Sequence, residues 1–108
     1  MNTRFSAIIL LSLLAGCAAG PGRQHASHLT IKRVAPSQYS FENTTYSYSD
    51  LIGAINREYS EVGYIDADMG TASTVGDLLE ACALQKQTGI PVHAYYEHDG
   101  KTSNVTCQ

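Results

Sequence analysis

The sequence lacks the signatures by which several enzyme classes are recognised. It contains no Gly-x-Ser-x-Gly elbow, no Cys-x-x-Cys pair and no glycine-rich phosphate loop, so no motif indicates a hydrolase, a thioredoxin-like redox centre or a nucleotide site. Basic residues are also scarce, with seven Lys and Arg against ten Asp and Glu and a net charge of −3. Because nucleic acid selects a basic patch, we expect no nucleic-acid partner. We predict no catalytic residues, no cofactor and no enzymatic activity.

A long apolar run is missing as well. The apolar segment at positions 5–14 covers ten residues, whereas a helix that spans a bilayer needs roughly 20. This segment follows the basic Arg4 and precedes the small residues Ala15 and Gly16, which is the pattern of a secretory signal. We therefore predict a segment that is removed on export and no permanent transmembrane helix.

The end of this segment, Leu14-Ala15-Gly16-Cys17, resembles a bacterial lipobox. The resemblance implies that residues 1–16 are a lipoprotein signal peptide and that the thiol of Cys17 carries a diacylglycerol; an ordinary signal peptide with a chance cysteine is the alternative. Two or three acyl chains, such as palmitate, would make the anchoring stable. An aspartate after the cysteine would resemble an inner-membrane retention signal, so Ala18 favours the outer membrane, facing the periplasm, in an organism with two membranes.

After the lipobox the composition changes. Residues 17–28 include Gly20-Pro21-Gly22 and no periodic apolar pattern, which predicts a lipidated cysteine followed by a flexible tether. The remaining residues, 29–108, are predicted to form one small domain with a modest core. The chain from Cys17 onward carries six basic and ten acidic residues, a net charge of −4.

Alternating polar and apolar residues predict strands at 29–34, 38–48 and 62–69, with a candidate turn at 42–43 in the second. Helices are predicted between and after these strands, and a final pair of strands closes the chain. The order strand, strand, helix, strand, helix, strand, strand indicates an α+β fold. We expect a two-layer sandwich in which two helices cover one face of a mixed sheet of four to five strands.

Capping residues locate the two helices. Ser49 is the predicted N-cap of the first helix, and Gly63 marks its end or the turn after it. Ser73 or Thr74 is the predicted N-cap of the second helix, which Gly89 ends. The apolar stripe that we expect the second helix to turn towards the sheet consists of Val75, Leu78, Leu79, Cys82 and Ala83.

The last two strands and the second helix predict a disulfide. Asp99-Gly100 indicates a type I′ hairpin between strands 92–98 and 101–107. Its register places Cys107 on the core face, which the helix carrying Cys82 covers. The lipobox resemblance implies that Cys17 is lipidated, which leaves Cys82 and Cys107 as an even pair. Because exported proteins meet an oxidising compartment, we predict a Cys82–Cys107 bond, with two free buried thiols as the alternative.

The order and spacing of these elements resemble the periplasmic domain of the ExbD/TolR family of envelope energy-transducing proteins. The resemblance rests on segments 29–32, 46–51, 64–68 and 74–89, of which 64–68 is similar to that family's strand ending in Ala-Asp. Members of that family have a true membrane helix with an essential aspartate, which this chain lacks. The resemblance therefore implies a fold and an envelope binding role, without proton-coupled motor function.

A candidate binding surface lies on the penultimate strand, where His93, Tyr95 and Glu97 alternate on its outward face. Aromatic side chains with polar tips favour interfaces, although a merely solvated face has the same pattern. Asp66 and Asp68, with His93 or His98, would suit a divalent metal, but such pairs are commonly solvated strand ends, and we predict no metal.

These observations predict a lipid-anchored envelope protein with a non-catalytic binding or adaptor role. Its partners would be the membrane, reached through the lipid anchor, and either an envelope protein or peptidoglycan. The alternative function is that of an inhibitor or immunity-type lipoprotein that blocks a hydrolase or toxin, which the acidic charge and the stapled core fit equally well.

Overall fold

The structure is a computed structural model that describes residues 23–107. The predicted signal peptide, Cys17 and the first part of the tether lie outside the described residues. Residues 23–107 contain six strands and two helices: β1 (Gln24–Ala35), β2 (Gln38–Phe41), β3 (Thr44–Ser47), α1 (Tyr48–Glu58), β4 (Tyr59–Asp68), α2 (Val75–Thr88), β5 (Val92–His98) and β6 (Lys101–Thr106).

The strands form one mixed sheet in the order β3-β2-β1-β4-β5-β6. Strands β1, β4 and β5 run parallel, whereas β2, β3 and β6 are antiparallel to their neighbours. The α+β fold with one mixed sheet and two helices is confirmed. The predicted four to five strands are too few, because residues 38–47 form a hairpin of two strands. Its turn residues Glu42 and Asn43 have φ values of 51° and 66°, as a type I′ turn requires.

Strand β1 begins five residues before the predicted start of the domain. Its first half pairs in parallel with β4, with Gln24 opposite Tyr59 and His28 opposite Tyr64. Among residues 24–28 only Ala26 is partly buried, so the sequence shows no apolar alternation there. Residues 24–28, predicted as tether, therefore belong to the sheet, where backbone pairing holds them.

Gly63 lies in β4 and does not mark the end of a helix. A Cβ atom at this position would lie 2.5 Å from the backbone carbonyl oxygen of Ser27 in β1. Helix α1 ends earlier, at Glu58, and Tyr59 starts β4 directly. Its N-cap is Ser47 rather than Ser49, because the Ser47 side chain accepts a hydrogen bond from the Asp50 backbone N–H.

Helix α2 has the caps that its sequence predicts. Thr74, one of the two candidate residues, forms a capping box: its hydroxyl accepts from the Asp77 N–H at 3.2 Å, and the Asp77 carboxylate accepts from the Thr74 N–H at 2.7 Å. Gly89 ends the helix with a φ of 76°. A left-handed residue at this position is the usual helix terminus, and glycine adopts it without steric strain.

The predicted apolar stripe of α2 is partly wrong. Val75 and Leu79 are 73% and 66% exposed, while Ala81 and Leu84 are buried. The inward face includes Asp77, Ala81 and Leu84, and Asp77 forms an ion pair with Arg33 on β1. The buried stripe thus begins with a polar residue, Asp77, and a search for apolar periodicity does not detect that residue.

The predicted disulfide joins Cys82 in α2 to Cys107 just after β6, with their Cα atoms 5.1 Å apart. The hairpin between β5 and β6 has the predicted register, including Ala94 opposite Val105, and its turn residues Asp99 and Gly100 have φ values of 52° and 75°. The bond closes a loop of 25 residues, which in the chain-entropy model stabilises the fold by roughly 3–4 kcal/mol.

The core lies between the helices and one face of the sheet. Burial alternates along the central strands, so that every second side chain points towards the helices. Neither helix of the described residues is long and apolar enough to cross a membrane. The buried strand and helix residues at the centre of this core are Leu29, Ile31, Leu51, Ile55, Ile65, Ala67, Ala81, Leu84, Val92 and Ala94.

Candidate functional site

The side of the sheet that faces away from the helices is uncovered, and we call its central part the open face. Strand pairing arranges its side chains in rows, because Thr30, Asp66, His93 and Thr106 are successive partners across four strands, as are Lys32, Asp68, Tyr95 and Asn104. The open face consists of His28, Thr30, Lys32, Tyr64, Asp66, Asp68, His93, Tyr95, Glu97, Thr102, Asn104 and Thr106.

The structure places His93, Tyr95 and Glu97 together on the open face. His93 and Glu97 are exposed, and Tyr95 is half-buried. The sequence identifies this strand as a binding surface and offers Asp66 and Asp68 on β4 only as metal ligands. His28 falls in the predicted tether, and the sequence gives no signal for Asn104. Only the pairing of distant strands brings these side chains together.

Three aromatic rings stand side by side across the open face. The ring centroids of His28 and Tyr64 are 5.2 Å apart, and those of Tyr64 and His93 are 5.1 Å apart, with interplanar angles of 12° and 25°. These distances match the spacing between neighbouring strands, so the rings stack on one another. The imidazoles of His28 and His93 therefore cover both faces of the Tyr64 ring, which leaves no face of Tyr64 on which a sugar could stack.

The seven tyrosines, all within the described residues, do not form an exposed strip. Tyr39 and Tyr59 are buried in the core, and Tyr46, Tyr48 and Tyr96 pack against it. The two remaining tyrosines, Tyr64 and Tyr95, lie on the open face.

Two adjoining depressions flank Tyr95, which lines both of them. The first has a volume of about 400 Å³ and the second about 350 Å³. The first is lined by Lys32, Asp68, Gly70, Thr71, Tyr95, Tyr96, Glu97 and Thr102. The second is lined by Asp66, His93, Tyr95, Asn104, Val105 and Thr106.

Carboxylates dominate the charge of the open face. Asp66, Asp68 and Glu97 are accompanied by one basic side chain, Lys32, and within residues 23–107 none of the three carboxylates has an ion-pair partner within 4.0 Å. Burial raises the pKa of Tyr95, and the charges of Asp68 and Asp66 raise it further. Both aspartates therefore act on the phenol that separates the two depressions.

The residues considered for a metal site do not converge. His98 pairs across the hairpin with Lys101, on the face opposite His93, and its imidazole contacts Asp99 at 3.3 Å. In the part of the chain that the structure describes, no group of three or more His, Cys, Asp or Glu side chains could hold a metal ion.

A second polar cluster, which sequence reasoning missed, lies between the sheet and α2. The side chains of Arg33 and Asp77 form an ion pair at 3.2 Å and are only 11% and 13% exposed. The hydrogen bond from the Thr74 N–H, with a smaller contribution from Arg33, lowers the pKa of Asp77. Glu80 accepts a hydrogen bond from the Tyr39 hydroxyl at 2.8 Å. This cluster joins α2 to the strands beneath it and has a structural role.

Comparison of the chain with protein-family models, with curated proteins and with solved structures finds no match. The resemblance to the ExbD/TolR periplasmic domain stays a prediction from element order.

Proposed function

We propose that this chain is an exported lipoprotein, anchored by lipid on Cys17, that binds a partner in the cell envelope through the open face. The observation that supports it best is the uncovered sheet surface, with its stacked aromatic rings and two adjoining depressions. Sheet surfaces of this kind supply rigid positions for contact residues. The role is that of a binding module or adaptor, in the outer membrane of an organism with two membranes.

Rigidity supports a binding role. His93, Tyr95 and Glu97 lie on β5, which has a neighbouring strand on each side. The disulfide also fixes α2 against the end of β6. A surface held in this way loses little conformational entropy on binding, so more of its contact energy appears as affinity.

The anchor can be tested by metabolic labelling of the full chain with an alkyne analogue of palmitate. We expect Cys17 to incorporate the label and the protein to fractionate with membranes. The variant Cys17→Ser should lose both the label and the membrane association. Unlabelled wild-type protein would contradict the lipoprotein assignment.

The binding surface can be tested in the same cells by placing a photo-crosslinking amino acid at Asn104 on the open face or, as a control, at the exposed Leu79 on α2. We expect crosslinked partners from position 104 that the change His93→Ala/Tyr95→Ala/Glu97→Ala removes. Equal crosslinking from both positions would contradict the assignment of the open face. A crosslinked hydrolase or toxin whose activity the protein blocks would favour the inhibitor alternative.

A further inference from the structure

We propose that the partner on the open face is a protein segment carrying Lys or Arg at alternate positions, whose basic side chains enter the two depressions beside Tyr95. This proposal rests on the proposed function, because it names the chemistry of the partner bound there. The charge of the open face, the ring of Tyr95 and the spacing of the carboxylates support it.

The charge of the open face selects a cationic partner. Asp66, Asp68 and Glu97 have no ion-pair partner within residues 23–107, and Lys32 offsets only one of these three charges. Each depression contains at least one of these carboxylates: Asp68 and Glu97 line the first, and Asp66 lines the second. Charge complementarity of this kind steers encounter and excludes partners of like charge.

Tyr95 provides a second contact for the same partner. Because it lines both depressions, a cation in either one lies beside its ring. A guanidinium or ammonium group is attracted to the face of an aromatic ring within about 6 Å of its centroid. Tyr64 adds no stacking surface for a glycan, because His28 and His93 cover both of its faces.

The spacing of the carboxylates predicts the form of the segment. Asp66 and Asp68 are two residues apart in β4 and point to the same side, so their side chains are about 7 Å apart. An extended peptide has the same spacing between alternate side chains. A segment with Lys or Arg at every second position therefore matches both aspartates at once.

The test uses the lipidated protein purified from membranes in detergent and two fluorescein-labelled hexapeptides of equal composition. One alternates arginine and serine; the other has three arginines followed by three serines. Binding is followed by fluorescence anisotropy at about 0.02 M and about 0.15 M salt, because exposed charges are screened at the higher value. We expect the alternating peptide to bind at least about threefold more tightly than the block peptide at low salt.

Variants locate the binding. Asp66→Asn/Asp68→Asn should weaken binding of the alternating peptide at least about fivefold. The control Asp50→Asn/Asp99→Asn removes the same charge from α1 and the β5–β6 turn and should change it less than about twofold. Tyr95→Leu should weaken binding about two- to fivefold, whereas Tyr95→Phe keeps the ring and should not. Circular dichroism melting checks that each variant is folded.

The proposal is wrong if the alternating peptide fails to bind at low salt, or if the control pair weakens binding as much as the Asp66 and Asp68 pair. It is also wrong if purified muropeptides bind the open face and the arginine peptide does not. In each case persistent crosslinks from Asn104 would leave the proposed envelope-binding role intact. If the crosslinks from position 104 were absent but the peptide still bound, the proposed envelope-binding role would be rejected, and recognition of a basic segment in vitro would remain.

Discussion

The two faces of the sheet are formed by the same strands but carry different kinds of side chain. In β4, Ile65 and Ala67 are fully buried against the helices, while the alternating residues Asp66 and Asp68 point to the open face. The covered face accounts for most of the apolar burial, so its residues determine stability. The side chains of the open face are not required for folding and can therefore serve in binding. Stability and binding should therefore respond to different substitutions on the same strand.

The largest effect is expected from neighbouring positions in β4. Ile65→Ala removes a fully buried side chain and should reduce the free energy of unfolding by about 2–5 kcal/mol, through lost burial and the cavity left behind. Asp66→Ala on the open face should change it by less than about 0.5 kcal/mol. Urea unfolding of both variants measures the contrast, and equal losses would show that the open face also supports the fold.

The next largest effect is expected from removal of the disulfide, which lies on the covered side of the sheet. Cys82→Ser/Cys107→Ser should reduce the free energy of unfolding by roughly 3 kcal/mol, because the unfolded chain regains the entropy of an open loop. Reduction of the wild-type protein should give a similar loss in urea unfolding. If reductant did not change the unfolding midpoint of the wild-type protein, the assignment of the Cys82–Cys107 disulfide would be contradicted.

Gly63 allows the first residues of β1 to lie close to β4. Gly63→Ala would place a Cβ against the Ser27 carbonyl, and should destabilise the protein by about 1–3 kcal/mol through steric overlap. The control is Gly53→Ala in α1, where a Cβ meets nothing within 4 Å and should stabilise the helix by up to about 1 kcal/mol. Amide hydrogen exchange at residues 24–28 should accelerate in the first variant only.

Alkaline pH should destabilise the covered face. The hydrogen bond from the Tyr59 hydroxyl to Glu42 is the main cause that raises the pKa of Tyr59 to about 12. An unfolded tyrosine loses its proton near pH 10, so the unfolded state binds fewer protons between about pH 10 and 12 and stability falls as pH rises through that window. Tyr59→Phe should make the fall shallower, as should Glu42→Gln. An unchanged slope in both variants would contradict this coupling.

The smallest effect is expected at an apolar residue outside the core. Leu79→Ala should change the free energy of unfolding by less than about 0.5 kcal/mol, because Leu79 is 66% exposed. Leu84→Ala, on the buried side of the same helix, should lower it by about 2–5 kcal/mol. A large effect of Leu79→Ala would mean that a second molecule covers this side of α2.

Local signals predicted a large part of the fold. The Asp99-Gly100 turn set the register of the last hairpin, and Thr74 and Gly89 set the ends of α2. These features depend on the conformational preferences of a few neighbouring residues. The cysteine pair followed from that register, because it brought Cys107 to the covered side.

What the sequence did not predict depends on distant contacts. The first half of β1 carries no apolar pattern, and His28 reaches the open face only because β1 pairs with β4. On helix α2 the polar Asp77 lies on the inward face, where it contacts Arg33, and apolar periodicity cannot reveal such a position. For the same reason the candidate binding surface could be predicted on β5 alone. Asp66 and Asp68 on β4 were considered only as metal ligands, and His28 and Lys32 on β1 were missed.

The early start of β1 limits where this molecule can act. If Cys17 carries the proposed lipid, only the residues before Gln24 separate that lipid from the sheet, a reach of at most about 25 Å. Lys32 lies roughly 25 Å further along β1 than Gln24. In the proposed lipoprotein the depression lined by Lys32 and Asp68 would then lie at most about 50 Å from the lipid, so a bound segment must come from a molecule that reaches within some tens of ångströms of the lipid headgroups.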